Sequence, residues 1–172
     1  MRYNIFYDVH TPLRLALLKG CIQISNGAGS NRFKVIKAIE EALLVFEEQQ
    51  RFEEDYILPL VFEYEPSIAA NYSAQHCYQV NLWRKLKAAV EFYNKKQYKK
   101  EIIDLNYVLQ AFNEFVITNY GHMDEEEETL NHILWIYYED NFLKQLQQKS
   151  ILLSAPVQER QHSNLIMTVK AA

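Results

Sequence analysis

Two pairs of polar residues, each spaced four apart, carry side chains that could do chemistry inside a helical protein. Gln49 and Glu53 form the first pair, and His122 and Glu126 form the second. Residues four apart lie one turn apart on the same helix face, so both members of a pair can reach one buried point. Burying two unpaired carboxylates would be very costly, and a cation between them removes that cost. Imidazoles with bridging carboxylates hold iron or manganese pairs in this way.

Two further histidines lie on the apolar faces of predicted helices. His10 precedes the inward positions of the first helix, and His76 interrupts those of the third. The inward positions predicted for the third helix are Ala69, Tyr72, His76, Val80, Trp83, Leu86 and Val90. A single histidine in such a place is more often a packed core residue than a ligand. Ligand-type residues on all four long helices favour ligation instead.

Glycine and proline number only four each, which favours a few long helices over a β-rich fold. Hydrophobic periodicity predicts four long helices, at about residues 11–24, 32–60, 67–94 and 102–138. Pro12 is placed near the first turn of the first helix, where its missing N–H costs nothing. Residues 25–31 are expected to form a loop, and residues 94–100 a solvated connection. Short connections make helices antiparallel neighbours, so the predicted fold is an all-α, up-down four-helix bundle.

The chain length of 172 residues fits one domain. We expect a single domain over residues 1–172, with the core bundle at about 7–138 and a helical tail at 139–172. The tail is predicted to hold one or two short helices, divided around Ser154 to Pro156.

Composition excludes several classes of function. The net charge is −4, with no basic run beyond the lysines at 95–100, so a nucleic-acid partner has no electrostatic support. No apolar segment approaches the roughly 20 residues that span a bilayer, and the first eight residues do not read as a signal peptide. Two cysteines make no disulfide framework, so a cytoplasmic location is expected. No nucleophile–base arrangement or phosphate loop supports a hydrolase or kinase.

Four segments resemble the successive helices of the hemerythrin-like (HHE) cation-binding family. They read DVHTPLR, QQRFEEDYILPLVFEYEP, AQHCYQVNLWRKL and GHMDEEEETLNHIL. The family pattern has a histidine at the start of helix 1, histidine-x-x-x-glutamate on helices 2 and 4, and a single histidine on helix 3. The resemblance covers roughly residues 7–134, and residues 156–169 resemble the family's closing helix weakly.

The resemblance implies a ligand set and a function. His10, His76 and His122 would be terminal ligands, while Glu53 and Glu126 would bridge two metal ions, and iron is the expected metal. The family's reactions involve small oxidants, so the resemblance implies binding or sensing of dioxygen, peroxide, nitric oxide or iron. Enzymatic turnover would be peroxide or oxygen chemistry at the metal, and binding without turnover is favoured.

Gln49 is the departure from the family pattern, because it stands where a histidine is expected. An amide oxygen is a poorer ligand for such a metal, so the position served by helices 1 and 2 should be weak or filled by water. Glu54 or Gln50 could substitute after a modest helix rotation. A single ion, including zinc or manganese, held by His76, His122 and one carboxylate is an alternative. A degenerate bundle that serves as a scaffolding module is another, with its protein partner unknown.

Neighbouring polar residues are assigned to the surface. In the acidic run Asp124 to Glu128, only Glu126 has the phase of the inward face, and the rest should be solvated. His132 replaces a proline usual in the family and lies ten residues after His122, about 15 Å along the helix axis. It therefore cannot join the same site.

Overall fold

The computed structural model describes residues 2–26, 31–98 and 105–154, and every regular element within them is helical. A π-helical segment, Glu53–Ile57, joins α2 to α3. The α-helices are α1 (Ile5–Ser25), α2 (Arg32–Phe52), α3 (Leu58–Tyr64), α4 (Pro66–Tyr98), α5 (Asn106–Tyr137) and α6 (Asp140–Ser154). None of these helices combines the length and the apolar character that crossing a membrane demands.

Helix α1 begins six residues before the predicted start at Thr11, so the placement of Pro12 near the first turn was wrong. Asn4 caps the helix, because its side-chain oxygen accepts a hydrogen bond from the Tyr7 backbone N–H at 3.0 Å. Pro12 lies inside the helix instead. The Thr11 hydroxyl donates to the Tyr7 carbonyl at 2.6 Å, next to the Asp8 carbonyl, which Pro12 leaves without its usual helical donor.

The second predicted helix is continuous in the structure, but a π-helical segment separates its two α-helical parts, α2 and α3. The Leu58 N–H bonds to the Glu53 carbonyl, five residues back, which is the π-helical pattern. Pro59 has no N–H to give, and in a regular α-helix its ring would collide with the carbonyl of Asp55. The wider π turn accommodates Pro59 without ending the helical path, which continues to Tyr64 rather than stopping at Leu60.

The other predicted boundaries need smaller corrections. Helix α4 continues to Tyr98, so residues 94–98 are helical rather than a connection. Helix α5 ends at Tyr137, one residue before the prediction, and its predicted start at Ile102 lies outside the described residues. The short helix expected in the tail is α6, whereas the resemblance at residues 156–169 and most of the loop at residues 25–31 fall outside the described part of the chain.

The long helices pack side by side around two apolar clusters. Helix α1 contacts α2 and α5, and α4 contacts α5 and α2. One cluster includes Leu13 and Phe115, and the other includes Phe6 and Leu130. Between them each long helix contributes buried polar side chains. We call these residues the polar layer; they are His10, Gln49, Gln50, Glu53, His76, His122 and Glu126.

Hydrogen bonds link the residues before α1 to the end of α5 and the start of α6. The Arg2 side chain donates to the Asp140 carboxylate at 2.6 Å and to the Trp135 carbonyl at 2.7 Å. The Asn131 side-chain amide donates to Asn4 at 2.6 Å, so the capping residue is held from both sides. The start of the helix that carries His10 is therefore tied to the end of α5.

Two helical glycines allow a matched test of core packing. A Cβ added at Gly20, which is buried in α1, would lie 2.4 Å from the Phe112 ring, whereas a Cβ at Gly121 in α5 would meet nothing within 4 Å. We expect Gly20→Ala to lower the free energy of unfolding by about 1–3 kcal/mol, because overpacking exceeds the gain in helix propensity. Gly121→Ala should raise it by about 0.5–1 kcal/mol. Urea denaturation with chelator present measures both, and equal effects would contradict this account of the packing.

Candidate metal centre

The polar layer brings all five predicted ligand residues together. His10 comes from α1, Glu53 from the start of the π-helical segment, His76 from α4, and His122 with Glu126 from α5. Each is at most 5% exposed. The four-residue spacing places His122 and Glu126 on one face, with the His122 Nε2 atom 3.3 Å from the Glu126 Oε1 atom.

The two carboxylates each present one oxygen to either end of the layer. At one end, His10 Nε2 lies 3.1 Å from Glu53 Oε1 and 3.2 Å from Glu126 Oε2. At the other end, His76 Nε2 lies 3.6 Å from Glu53 Oε2 and 3.5 Å from Glu126 Oε1. We call these the His10 end and the His76 end. Neither oxygen of Glu126 accepts a well-oriented hydrogen bond, although the residue is fully buried.

The outer nitrogen of each imidazole faces an oxygen acceptor. The Nδ1 atom of His10 lies 2.9 Å from Glu127 Oε1. The Nδ1 atom of His76 lies 2.7 Å from Glu54 Oε1, and that of His122 lies 2.7 Å from Gln75 Oε1. A proton on Nδ1 satisfies each acceptor, which leaves the Nε2 lone pair directed into the layer. Metal-binding histidines are fixed in this way by outer hydrogen bonds.

Two inward nitrogens approach each other closely. His76 Nε2 and His122 Nε2 are 3.0 Å apart. If both rings were neutral with Nδ1 protonated, two lone pairs would face each other in a dry interior. A proton on one of the two Nε2 atoms removes this repulsion when no metal is bound, and a metal ion between them would take its place. The same reasoning applies at the His10 end, where one nitrogen faces two carboxylate oxygens.

The charges in the layer shift the pKa values of its histidines. Burial by itself lowers the pKa of His10, but the contacts of its ring with Glu126, Glu127 and Glu53 outweigh burial and raise the pKa to about 11. Burial also opposes protonation of His76, and the charges of Glu126 and Glu53 raise its pKa to about 9. In the metal-free protein at neutral pH, each of these two rings therefore carries a second proton and a positive charge.

The pKa of Glu126 is held well below its ordinary value. Burial opposes this shift, but the surrounding imidazoles of His10, His122 and His76 favour the ionised carboxylate. An ionised carboxylate with free lone pairs is the form that binds a metal ion. Glu126 therefore supplies the negative charge that a cation site requires.

A compact group of four residues could hold a metal ion at the His76 end. Glu53, His76, His122 and Glu126 each offer one ligand atom, and these atoms all lie within 4.8 Å of one another. Four tetrahedral ligands at about 2.0–2.2 Å from one ion lie roughly 3.3–3.6 Å apart, so the widest separation in this group must shorten by about 1 Å when an ion binds. His10 is outside this group and meets the same carboxylates from their other side.

The three residues considered as weak or substitute ligands have different positions. The Gln49 amide nitrogen donates to Glu53 Oε1 at 2.9 Å, so Gln49 belongs to the His10 end. Gln50 donates to the backbone carbonyl of His76 at 3.2 Å, and Glu54 Oε1 lies 2.7 Å from the outer nitrogen of that histidine. Gln50 and Glu54 therefore orient His76 rather than face the centre.

Glu127 and Gln75 orient histidines, and neither role was predicted from the sequence. Glu127 was expected to be solvated, yet it is partly buried between His10 and Arg14, whose guanidinium donates to Glu127 Oε1 at 3.0 Å. Hydrogen bonds to His10 and Arg14 hold the pKa of Glu127 below its ordinary value. The four-residue spacing of His10 and Arg14 could have indicated this role of Glu127, because two residues one turn apart can contact the same carboxylate of a neighbouring helix. Gln75, which orients His122, gave no comparable signal.

A buried amide pair lies one turn beyond the histidines of α4 and α5. Gln79 donates to Asn119 at 3.1 Å, and Asn119 donates to the Phe115 carbonyl at 2.7 Å. The predicted inward positions Val80 and Trp83 are only half buried, since Gln79 and Leu82 take their places. The pair fixes the contact between the two helices next to His76 and His122.

Comparison of the chain with protein-family models, curated proteins and solved structures finds no match.

Filling both ends of the polar layer with metal should release about two protons per chain near pH 7, because the bound cations replace the protons on His10 and His76. The number should fall towards one as the starting pH rises past about 9, where His76 is already neutral. The pKa values of His10 and His76 are higher in the folded protein than their ordinary value of 6.5, so protonation of the two rings stabilises the metal-free fold. This stabilisation is complete below about pH 6.5. It is lost as the pH rises through about 9, where His76 loses its proton, and then about 11, where His10 does. Titration calorimetry in buffers of different ionisation enthalpy measures the release. Uptake without proton release would contradict the assignment of both protons.

Proposed function

We propose that the chain is a hemerythrin-like protein, an up-down four-helix bundle that holds a non-haem pair of iron ions and binds or senses a small oxidant. Dioxygen, peroxide and nitric oxide are the ligand class, or iron itself where the protein acts as a sensor. The resemblance of the four helical segments supports the proposed family, and the charged polar layer supports the proposed metal site.

The observation that carries this proposal is the division of oxygens between the two ends of the layer. Glu53 and Glu126 each direct one oxygen towards His10 and the other towards His76. Carboxylates that bridge two ions in a helical bundle present their oxygens in this manner. A site for one ion would not need His10 on the far side of both carboxylates.

The donor set favours iron, and the burial favours a small ligand. Imidazole nitrogens mixed with carboxylate oxygens suit iron, and a bound ion of this type supplies reversible binding or redox chemistry with small oxidants. The layer residues are at most 8% exposed, so a larger substrate would have to part the helices. A groove of about 700 Å³ between α2 and α4, lined in part by His76 and Gln50, reaches the layer from outside.

A single-ion protein is the second candidate, and the compact group at the His76 end favours it. Glu53, His76, His122 and Glu126 converge without His10. Under this candidate, the His10 ring keeps its proton and neutralises the carboxylates from the other side. Metal stoichiometry separates the two candidates.

The test is elemental analysis of protein purified without chelators, together with an absorption spectrum of coupled ferric ions. At equilibrium with added Fe²⁺ we expect two irons per chain, one of them held weakly at the His10 end, and His122→Ala should lose the tightly held iron. His132→Ala is the matched control, because His132 is exposed on the same helix and should leave the metal content unchanged. One ion per chain would favour the second candidate. No metal in the wild-type protein above the His122→Ala background would overturn both and leave the scaffolding reading.

A further inference from the structure

The two ends of the polar layer offer different donor atoms. The His76 end has two imidazole nitrogens, from His76 and His122, and two carboxylate oxygens. The His10 end has one imidazole nitrogen, two carboxylate oxygens and the side chain of Gln49. Glu53 and Glu126 serve both ends equally, so the difference comes from Gln49.

Gln49 is placed as a ligand would be, but with its amide turned the other way. Its nitrogen lies 2.9 Å from Glu53 Oε1, and the residue is 7% exposed. Its oxygen is buried and has no hydrogen-bond partner. A half-turn of the amide would exchange the two atoms and place this oxygen about 2.9 Å from the carboxylate oxygen. Two such oxygens repel each other unless a cation binds both, and the separation suits neighbouring ligands of one octahedral ion.

We propose that the His10 end is a separate, exchangeable site for a hard divalent cation of the Mn²⁺ class, with the Gln49 amide oxygen as a ligand. This inference rests on the proposed function, because it assumes that both ends of the layer bind ions. In the metal-free protein the amide nitrogen of Gln49 donates to Glu53, and on metal binding the amide turns and its oxygen joins the ion.

Donor chemistry sets both the selectivity and the affinity. Carboxylate and carbonyl oxygens suit Mn²⁺, whereas added imidazoles favour the later divalent ions such as Zn²⁺. Loss of a group that merely orients a ligand costs 10–100-fold in affinity. Replacing an imidazole ligand by an amide should cost at least the upper end of that range. The His10 end should therefore bind at least about 100-fold more weakly than the His76 end.

The experiment loads metal-free protein with Zn²⁺, desalts it, and then titrates Mn²⁺ while the electron paramagnetic resonance signal of free Mn²⁺ is measured. We expect one Zn²⁺ per chain to survive desalting, followed by reversible uptake of one Mn²⁺. Gln49→Leu should abolish Mn²⁺ uptake and keep the Zn²⁺. Gln49→His should retain two Zn²⁺ per chain after desalting. Gln110→Leu is the matched control for the substitution itself, because Gln110 is exposed on α5 twelve residues before His122, and it should behave as wild type.

The outcomes separate this inference from the proposal on which it rests. Two Zn²⁺ retained equally by the wild-type protein, or Mn²⁺ uptake that survives Gln49→Leu, would overturn the inference and leave the two-ion site standing. One Zn²⁺ without any Mn²⁺ uptake would overturn the inference and favour the single-ion candidate. No Zn²⁺ retained by the wild-type protein would overturn both.

Discussion

Chelation of the purified protein should lower its melting temperature by about 10 °C, the largest effect that we expect from any change in solution conditions. A ligand present at 1,000 times its dissociation constant stabilises the folded state by about 4 kcal/mol. In a chain of this size, each kcal/mol corresponds to roughly 2–4 °C. The structure makes the gain specific to the folded state, because the ligand atoms of Glu53, His76, His122 and Glu126 come from three separate elements that meet only after folding. Differential scanning calorimetry with and without chelator measures the shift.

Two histidine variants identify the source of this shift. His122→Ala removes an inward nitrogen and should abolish the difference between chelated and untreated protein. His132→Ala removes an exposed ring from the same helix and should preserve the difference. A wild-type melting temperature that does not respond to chelation would remove the thermodynamic support for a metal in this fold.

Glu126→Gln should lower the free energy of unfolding of metal-free protein by about 3 kcal/mol near neutral pH. The substitution keeps the shape of the side chain and removes the charge that holds the protons on His10 and His76. The histidines then lose a buried counter-charge and must either remain unpaired or lose their protons. Urea denaturation in the presence of chelator measures the loss of stability.

Glu128→Gln is the control for this prediction, since Glu128 is an exposed residue of the same acidic run. Surface substitutions of this kind change stability by no more than about 0.5 kcal/mol. Equal stability of the two variants would show that Glu126 does not pair with the histidines in the folded protein.

The inward position of the polar residues could be predicted from the sequence because it depends on helical periodicity. His122 and Glu126, like Gln49 and Glu53, are four residues apart, so each pair lies on one helix face even when the predicted helix ends are wrong by several residues. The all-helical fold followed from the scarcity of glycine and proline. The start of α1 was missed because Asn4 was not recognised as a cap, and Pro12 was taken as the sign of a first turn.

The π-helical segment and the outer hydrogen bonds depend on three-dimensional packing. Pro59 indicates a disturbance near the end of the second helix, but not whether the chain breaks, bends or widens there. The position of Gln75 beside His122 depends on the register between α4 and α5. Buried amides such as Gln79 and Asn119 fix that register, and no periodic pattern distinguishes them from surface amides.

The fastening of α1 to the corner of α5 and α6 has a practical consequence for protein production. His10 lies five residues after the first residue of α1, about 8 Å along the axis. Arg2 and Asn4 hold that first turn in place. A purification tag or cleavage scar fused ahead of Arg2 can compete for these contacts and let the turn fray. Metal content measured on such a preparation would then report on the tag as well as on the native chain.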